Sequence, residues 1–434
     1  MKKLVQKIIP TKLVSMYHFL LAYIAPVIYG FPSKKLIVIG VTGTKGKTSS
    51  INYIWSVLNA GAIKTGIVTT ANIRIGEEES LNSFHMTMPG RFILQKFLRK
   101  MVYEKCEVAI IETTSQGISQ YRHIGIDYDV AVFTNLSPEH IDSHGSFENY
   151  KTMKGKLFES LSSAPRKYWR GEKFGKAIIA NADDEHYLYF SSFKADKKIA
   201  WSIKNASDNK VESVTSSGDG VEFALNGDNF KLMIPGVFNV HNALPAILVG
   251  KLFNISKEKI AEGLSSLRII SGRMEEIENT GKGFRVFVDY AHEKQSMTGV
   301  MEAAKYLKNP DGKIIVLLGA EGGGRDKGKR PIMGEIVGRL ADIVVVSNVD
   351  PYDDDPAPII EDIVLAAEAA GKKRGENLFA IEDRREGIAK CLSVAHEGDV
   401  VIITGKGAEQ SMIIGGKSIP WDDRAVVREE MQKI

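Results

Sequence analysis

Apolar and polar positions alternate in blocks along this 434-residue chain. From residue 36 onward, short apolar runs (KLIVIGV, TGIVTT, EVAIIETT, DVAVFTNL, KAIIANA) are separated by stretches with helical spacing such as GRFILQKFLRKMVYEK. Continuous apolar strands between amphipathic helices predict an α/β fold with a mostly parallel sheet covered on both faces. The pattern changes over 197–234, where KKIAWSI, KVESVTSS, GVEFALN and NFKLMIP surround SSGDG and NGD turns. All four are expected to form a small antiparallel sheet. Two helices follow over 239–253 and 256–267. A second αβ series begins near 271 with FRVFVDYA, KIIVLLGA, DIVVVSN, LFAIE and VVIITGKG, which predicts a Rossmann-like carboxy-terminal domain. The expected division is a short apolar helical segment over 1–35, a central phosphate-loop domain over 36–270 and a last domain over 271–434.

The amino terminus alters this picture. MKKLVQKIIPTK is basic, and residues 13–31 are almost continuously apolar, interrupted by His18 and Pro26. A spanning helix would export the rest of the chain under the positive-inside rule, away from any ATP, which disfavours it. A helix docked on the protein's own body, or one lying on a membrane surface, remains. The expected location is cytoplasmic, with membrane association left open. Hydrophobic content of 44% and charged content of 25% are those of an ordinary globular protein, and a net charge of +4 without a basic block excludes a nucleic-acid binder. Cys106 and Cys391, far apart in apolar segments, are expected to be buried free thiols in a reducing compartment.

Candidate chemistry starts at GVTGTKGKTSS, residues 40–50. Gly40 sits six residues before Gly46, so this is not the strict G-x-x-x-x-G-K-[ST] loop. Strand, glycines, Lys-Thr pair and helix nevertheless coincide. Gly43 and Gly46 let the backbone approach phosphate, Lys47 neutralises it, and the Thr48 hydroxyl suits Mg²⁺. Glu112, at the end of EVAIIE, lies where a parallel sheet faces its ligand crevice and could hold a metal. His140, after the next strand, is a candidate metal ligand or phosphate contact. Lys154 by itself reads as a surface lysine.

TGTKGKT, the acid after a strand, TNL-x-x-x-H-x-D-x-H-G and Y-x-x-x-K-x-x-L-F stand here in the order and spacing of the Mur ligases. GRME (272–275), VDYAH (288–292), GRDKGKRPIMG (324–334), GKGAE (405–409) and PWDDR (420–424) resemble the members that add the third amino acid to a muramyl dipeptide. The resemblance runs from about residue 36 to 425. It implies an ATP-dependent, ADP-forming amide ligase of peptidoglycan precursor synthesis that activates a carboxylate as an acyl phosphate. It further implies ATP phosphates on Gly43, Thr44, Lys45, Gly46, Lys47 and Thr48. Two Mg²⁺ ions would involve Thr48, Glu112, His140 and a carbamylated Lys154. Asn242, Arg273, Asp289 and His292 fall on nucleotide-contacting segments. Thr87, Ser115, Gln120 and Arg122 match muramyl-peptide contacts, and Arg325, Gly405 and Glu409 match positions around the incoming amino acid.

Three departures stand out. Only about 35 residues precede the phosphate-loop strand, so the family's uridine-binding domain is expected to be missing, or replaced by a partner. Diaminopimelate-adding members show D-N-P-R where this chain has Val349-Asp350-Pro351-Tyr352 followed by Asp353, Asp354 and Asp355. Tyr352 cannot form a bidentate ion pair with a carboxylate, and the acids favour a cationic side chain, so lysine or another diamine is expected over diaminopimelate. The alternative is a solvated helix-start cluster. Finally, Ala408 and Gln116 replace two histidines of the family pattern. The rival identities are a folylpolyglutamate synthase-like or cyanophycin synthetase-like ligase, or an inactive nucleotide-binding scaffold. A nucleotide switch would need N-K-x-D, which is absent.

Overall fold

The computed structural model describes residues 11–84, 86–138, 145–278 and 281–434, with residues 11–18 described by backbone alone. The chain divides into two compact units. The first comprises 1–213, 224–230 and 241–266, and the second 214–223, 231–240 and 267–434.

Ten strands belong to the first unit: β1 (Ile37–Thr42), β2 (Thr65–Val68), β3 (Asn72–Ile75), β4 (Glu78–Leu81), β5 (Val108–Glu112), β6 (Val130–Phe133), β7 (Lys167–Trp169), β8 (Glu172–Phe174), β9 (Ala177–Asn181) and β10 (Lys197–Trp201). Eight of them form one sheet in the order β10-β9-β6-β1-β5-β2-β3-β4, and β7 pairs with β8 alone. Pairings from β10 to β2 are parallel, while β3 and β4 add antiparallel at one edge. The central strand β1 is buried at every position, which is why its sequence is an unbroken apolar run. From β1 the chain builds toward β2 and β5, then crosses to β6 and β9 on the other side. That reversal leaves a crevice at the carboxyl ends of β1, β5 and β6, the natural ligand position of such a sheet.

The KKIAWSI segment differs from the sequence expectation. Lys197–Trp201 pairs parallel with β9 at the edge of the large sheet. Only β11 (Val211–Ser217), β12 (Gly220–Leu225) and β13 (Asp228–Leu232) form the small sheet. Burial along this edge strand runs from exposed Lys197 and Lys198 to buried Trp201, so it lacks the continuous apolar run of an interior parallel strand and the local sequence does not reveal its parallel partner.

In the second unit the sheet order is β14 (Glu275–Ile277), β15 (Arg285–Asp289), β19 (Val400–Thr404), β16 (Ile314–Leu318), β17 (Ile343–Val346), β18 (Leu378–Ala380). All pairs are parallel except β14–β15. A final antiparallel hairpin joins β20 (Ser411–Ile414) to β21 (Lys417–Pro420). Both cysteines are buried and unpaired.

One buried charge cluster ties the first sheet together at the start of β6. Asp129 is fully buried and accepts hydrogen bonds from Lys167 Nζ (2.6 Å), Lys176 Nζ (2.9 Å) and the Val38 N–H (2.8 Å). Burial pushes the Lys167 ammonium down, and the Asp129 carboxylate opposes that shift. Removing the carboxylate strands two cations in a dry site. We expect Asp129→Ala to cost about 3–5 kcal/mol in chemical denaturation; a loss below about 1 kcal/mol would mean that the cluster is solvated after all.

Candidate active site

The loop after β1 enters the helix Lys47–Ala60 through two glycines that no other residue could replace without movement. Gly43 has φ +152°, and a Cβ there would lie 1.9 Å from Thr134 Oγ1 and 3.0 Å from the Asn135 carbonyl. Gly46 has φ +81°, and its Cβ would lie 2.3 Å from Asn242 Oδ1. The end of β6 therefore moulds the loop. Thr44 N–H donates to the Asn135 carbonyl (2.8 Å), Lys45 N–H to Asn135 Oδ1 (2.9 Å), and Thr134 Oγ1 to the Lys45 carbonyl (2.7 Å). Thr134 and Asn135 were not among the expected site residues, although both belong to the TNL motif. Their role depends on a contact some ninety positions away in sequence.

Glu112 ends β5 beside β1, and its register partner is Val41. Its carboxylate is buried and accepts from Thr48 Oγ1 and from Thr70 N–H, each at 2.8 Å, with Lys47 Nζ 3.9 Å away. Thr70 Oγ1 in turn donates to Thr87 Oγ1 at 2.9 Å. Lys47 Nζ donates to the Thr44 carbonyl at 2.8 Å. So Thr44, Lys47, Thr48, Glu112 and Thr87 form one connected group. Thr48 and Glu112 offer adjacent hard oxygen donors, the chemistry that Mg²⁺ accepts when phosphate oxygens and water complete its shell. Among the described residues no three His, Cys, Asp or Glu side chains gather. His140 lies outside the described residues.

Lys154 is not a surface residue. It sits on the helix Phe147–Ser163, is 2% exposed, and donates from Nζ to the Gly43 carbonyl at 2.7 Å. Its ammonium lies 4.5 Å from the Tyr150 ring centroid, and the Tyr150 hydroxyl is 3.2 Å from Thr44 Oγ1. This helix thus holds the loop at Gly43 and Thr44. Ser115 is buried in the first turn of the short helix Ser115–Ser119, capped by Thr114. Arg122 donates to Gln120 Oε1 and to the Met88 carbonyl, and Arg91 donates to the Gln120 carbonyl at 3.0 Å.

In the second unit the expected residues cluster at the carboxyl ends of β15, β16, β17 and β19. Asp289 accepts from the Met274 and Ala291 N–H groups, each at 2.7 Å, and fixes both flanking loops. Burial raises its pKa against the opposing pull of Arg273 and those N–H groups. Arg273 lies 4.5 Å from the Tyr290 ring centroid, and His292 Nδ1 is 2.7 Å from the Tyr290 carbonyl oxygen. Gly405 has φ +108° beside Val349.

Lys406, one residue on, is the member that sequence reasoning passed over. It is 1% exposed and pairs with Asp350 Oδ2 (2.7 Å) and Glu409 Oε2 (2.6 Å). Burial alone would lower its pKa, but the carboxylates of Glu409 and Asp350 outweigh that and hold it charged. Glu409 also accepts from the Tyr290 hydroxyl at 3.1 Å. Arg325 pairs with Glu321 (3.4 Å) and reaches the Tyr352 hydroxyl (3.3 Å), and Tyr352 has φ +58°.

The acidic residues around Tyr352 have partners that the sequence did not show. Asp350 is committed to Lys406 and to the Ile413 N–H (2.7 Å). Asp354 accepts from the Gly323 N–H, and Asp355 caps the helix Pro356–Ala369. Asp354 and Asp355 are thus exposed carboxylates oriented by backbone N–H groups at the start of that helix. The PWDDR segment makes buried ion pairs. Asp423 is fully buried and takes a bidentate contact from Arg384 (2.8 and 2.7 Å), and Arg424 bridges Asp422 and Glu275.

Residues 41–250 match the Mur ligase middle domain, and residues 272–407 match the Mur ligase glutamate ligase domain. The chain is 37% identical to the UDP-N-acetylmuramoyl-L-alanyl-D-glutamate–2,6-diaminopimelate ligase of Caldanaerobacter subterraneus, across 94% of this chain and 81% of that protein. It is 35% identical to the UDP-N-acetylmuramyl-tripeptide synthetase of a Roseiflexus species, across 95% and 82%. A solved UDP-N-acetylmuramoyl-L-alanyl-D-glutamate–2,6-diaminopimelate ligase superposes with a TM-score of 0.61 at 27% identity, covering 92% of this chain and 79% of that one.

Proposed function

We propose that this chain, which belongs to the Mur ligase family, joins a diamino acid to a carboxylate of a muramoyl-L-alanyl-D-glutamate precursor. It is an ATP-dependent acid–amino-acid ligase of peptidoglycan precursor synthesis. The observation that carries the substrate assignment is the connected group of Lys47, Thr48, Glu112 and Thr87 around the Gly43–Gly46 loop, set in a chain similar throughout to tripeptide-forming ligases.

A carboxylate resists attack by an amine because oxide is a poor leaving group. Its oxygen instead attacks the γ-phosphorus of ATP, the bond from phosphorus to the ADP oxygen breaks, and an acyl phosphate results. The amine nitrogen then attacks the acyl carbon and loses a proton. The carbon–oxygen bond to phosphate breaks, and the amide remains. Gly43 and Gly46 admit the phosphate chain to the backbone, and the Lys47 ammonium balances charge on the transferred group. Mg²⁺, held through Thr48 and Glu112, would neutralise phosphate oxygens when bound. Asn242 lies against Gly46, which fits a nucleotide contact, and Arg273, Asp289 and His292 are assigned to the nucleotide as well.

Lys154 fits carbamylation. A carbamate nitrogen keeps one N–H, so the bond to the Gly43 carbonyl can persist while the new carboxylate adds a negative charge beside the loop for a second Mg²⁺. Ser115, Gln120 and Arg122 are assigned to the muramyl peptide. Around the amino acid, Arg325, Gly405 and Glu409 remain the assigned contacts. Preference for lysine over diaminopimelate now rests on Tyr352, whose neutral phenol replaces a guanidinium, because Asp350 is occupied by Lys406.

Heavy-oxygen label in the acceptor carboxylate should appear in the released phosphate in step with product, read by mass spectrometry; label retained wholly in the product rules out the acyl phosphate. Parallel ligations should turn over lysine faster than diaminopimelate, and Tyr352→Arg should move the ratio toward diaminopimelate by roughly tenfold. Faster wild-type turnover with diaminopimelate would refute the specificity assignment. Withdrawing carbon dioxide from the buffer should lower wild-type activity by at least about tenfold, with bicarbonate restoring it. Activity indifferent to bicarbonate would count against the carbamate.

A further inference from the structure

The amino-terminal helix Thr11–Ile28 is two-faced along its described side chains. Ala22 and Ala25 are fully buried, and Pro26 packs so closely on Gly125 that a Cβ there would sit 2.0 Å from its ring. Phe19 meets Tyr121 edge-on at 5.4 Å. Just past the helix, Ser33 Oγ donates to the Gly125 carbonyl (3.1 Å) and accepts from the Asp127 N–H (3.2 Å). The helix is therefore fixed to the first unit, and its outward face has a set direction.

That outward face is apolar. Phe19, Leu20, Tyr23, Ile24, Val27 and Ile28 are between 41% and 63% exposed, and their i, i+1, i+4, i+5 spacing places them on one continuous side. No polar residue interrupts the strip. A contiguous apolar face of this kind on a helix marks an interaction surface.

Charge identifies the occupant. Residues 1–76 contain no aspartate or glutamate, whereas Lys2, Lys3, Lys7, Lys12, Lys34 and Lys35 all lie in the first 35 positions. Lys34 and Lys35 are exposed at the end of the strip, with Lys34 Nζ 4.6 Å from the Phe31 ring centroid. The helix Arg91–Tyr103, which packs against this one, carries Arg91, Lys96, Arg99 and Lys100 and no acid. A second copy seated on the strip would bring like charges together, offset where Glu78 pairs with Lys100. An apolar face bordered by cations of one sign matches a surface of acyl chains under anionic headgroups. Among the described residues no helix is long and apolar enough to cross a membrane, so the contact is with the surface. We propose that the strip from Phe19 to Ile28, with Lys34 and Lys35, seats the protein on an anionic bilayer. This is independent of the ligase assignment, because none of these residues belongs to the catalytic group.

The test is co-sedimentation of the full chain with vesicles of phosphatidylcholine alone and of equimolar phosphatidylcholine and phosphatidylglycerol, at low and high salt. Binding is expected to the anionic vesicles, weakened by salt and weak on neutral ones. Leu20→Ser/Val27→Ser/Ile28→Ser should lower partitioning by at least about tenfold, since each removes an exposed apolar side chain that would enter the bilayer. Lys34→Glu/Lys35→Glu should weaken it on anionic vesicles alone. Unfolding midpoints confirm that each variant is folded, and the charge variant carries the test if the triple variant is not. The proposal is overturned if the wild type stays in the supernatant, if folded variants partition like wild type, or if the strip variant instead dissolves a wild-type dimer seen in sedimentation velocity.

Discussion

Room for a single hydrogen atom at Gly43 is the constraint on which the first unit's chemistry depends. The loop after β1 passes so close to the end of β6 that any side chain would overlap Thr134. That closeness lets Asn135 and Thr134 bind the loop's backbone from one side while Lys154 binds the Gly43 carbonyl from another. The loop is thus shaped by tertiary hydrogen bonds before any phosphate arrives. Preorganisation of this kind avoids reorganisation during reaction.

Buried charge is handled in the same way throughout. Asp129 is shared by two lysines, Lys406 by two carboxylates, and Arg384 is held by Asp423 and two carbonyls. Each would be costly alone and is tolerable only because its partners satisfy it. In the second unit this couples the ends of β17 and β19: Lys406 follows β19, Asp350 follows β17, and their pairing fixes the segment that presents Tyr352. The placement of Tyr352 therefore depends on a buried lysine two strands away in the sheet order.

The amino-terminal helix obeys a different economy. Small residues and one proline face the body, so the helix lies close against Gly125; Leu21 is half-buried, and the six other large apolar side chains described on it are exposed. Packing for self-stability would do the reverse. The large side chains are placed where folding gains little from them, which is why the surface they make calls for something outside the chain.

Sequence alone determined the alternation of strands and helices, the glycine loop with its Lys-Thr pair, and Glu112 at a strand end. Each of these is a local signal: periodicity reports which face is buried, and glycine marks where the backbone has no space. Family motifs added the ligase identity. Tertiary structure alone decided where the charged groups spend their interactions. Lys154 proved buried against Gly43, Asp350 was taken by Lys406, the Asp354 and Asp355 carboxylates bonded backbone N–H groups, and Asp423 of PWDDR held Arg384. It also moved Lys197–Trp201 into the large parallel sheet. A charged side chain's partner comes from a distant segment, and nothing in the spacing of neighbouring residues records which segment the fold will bring.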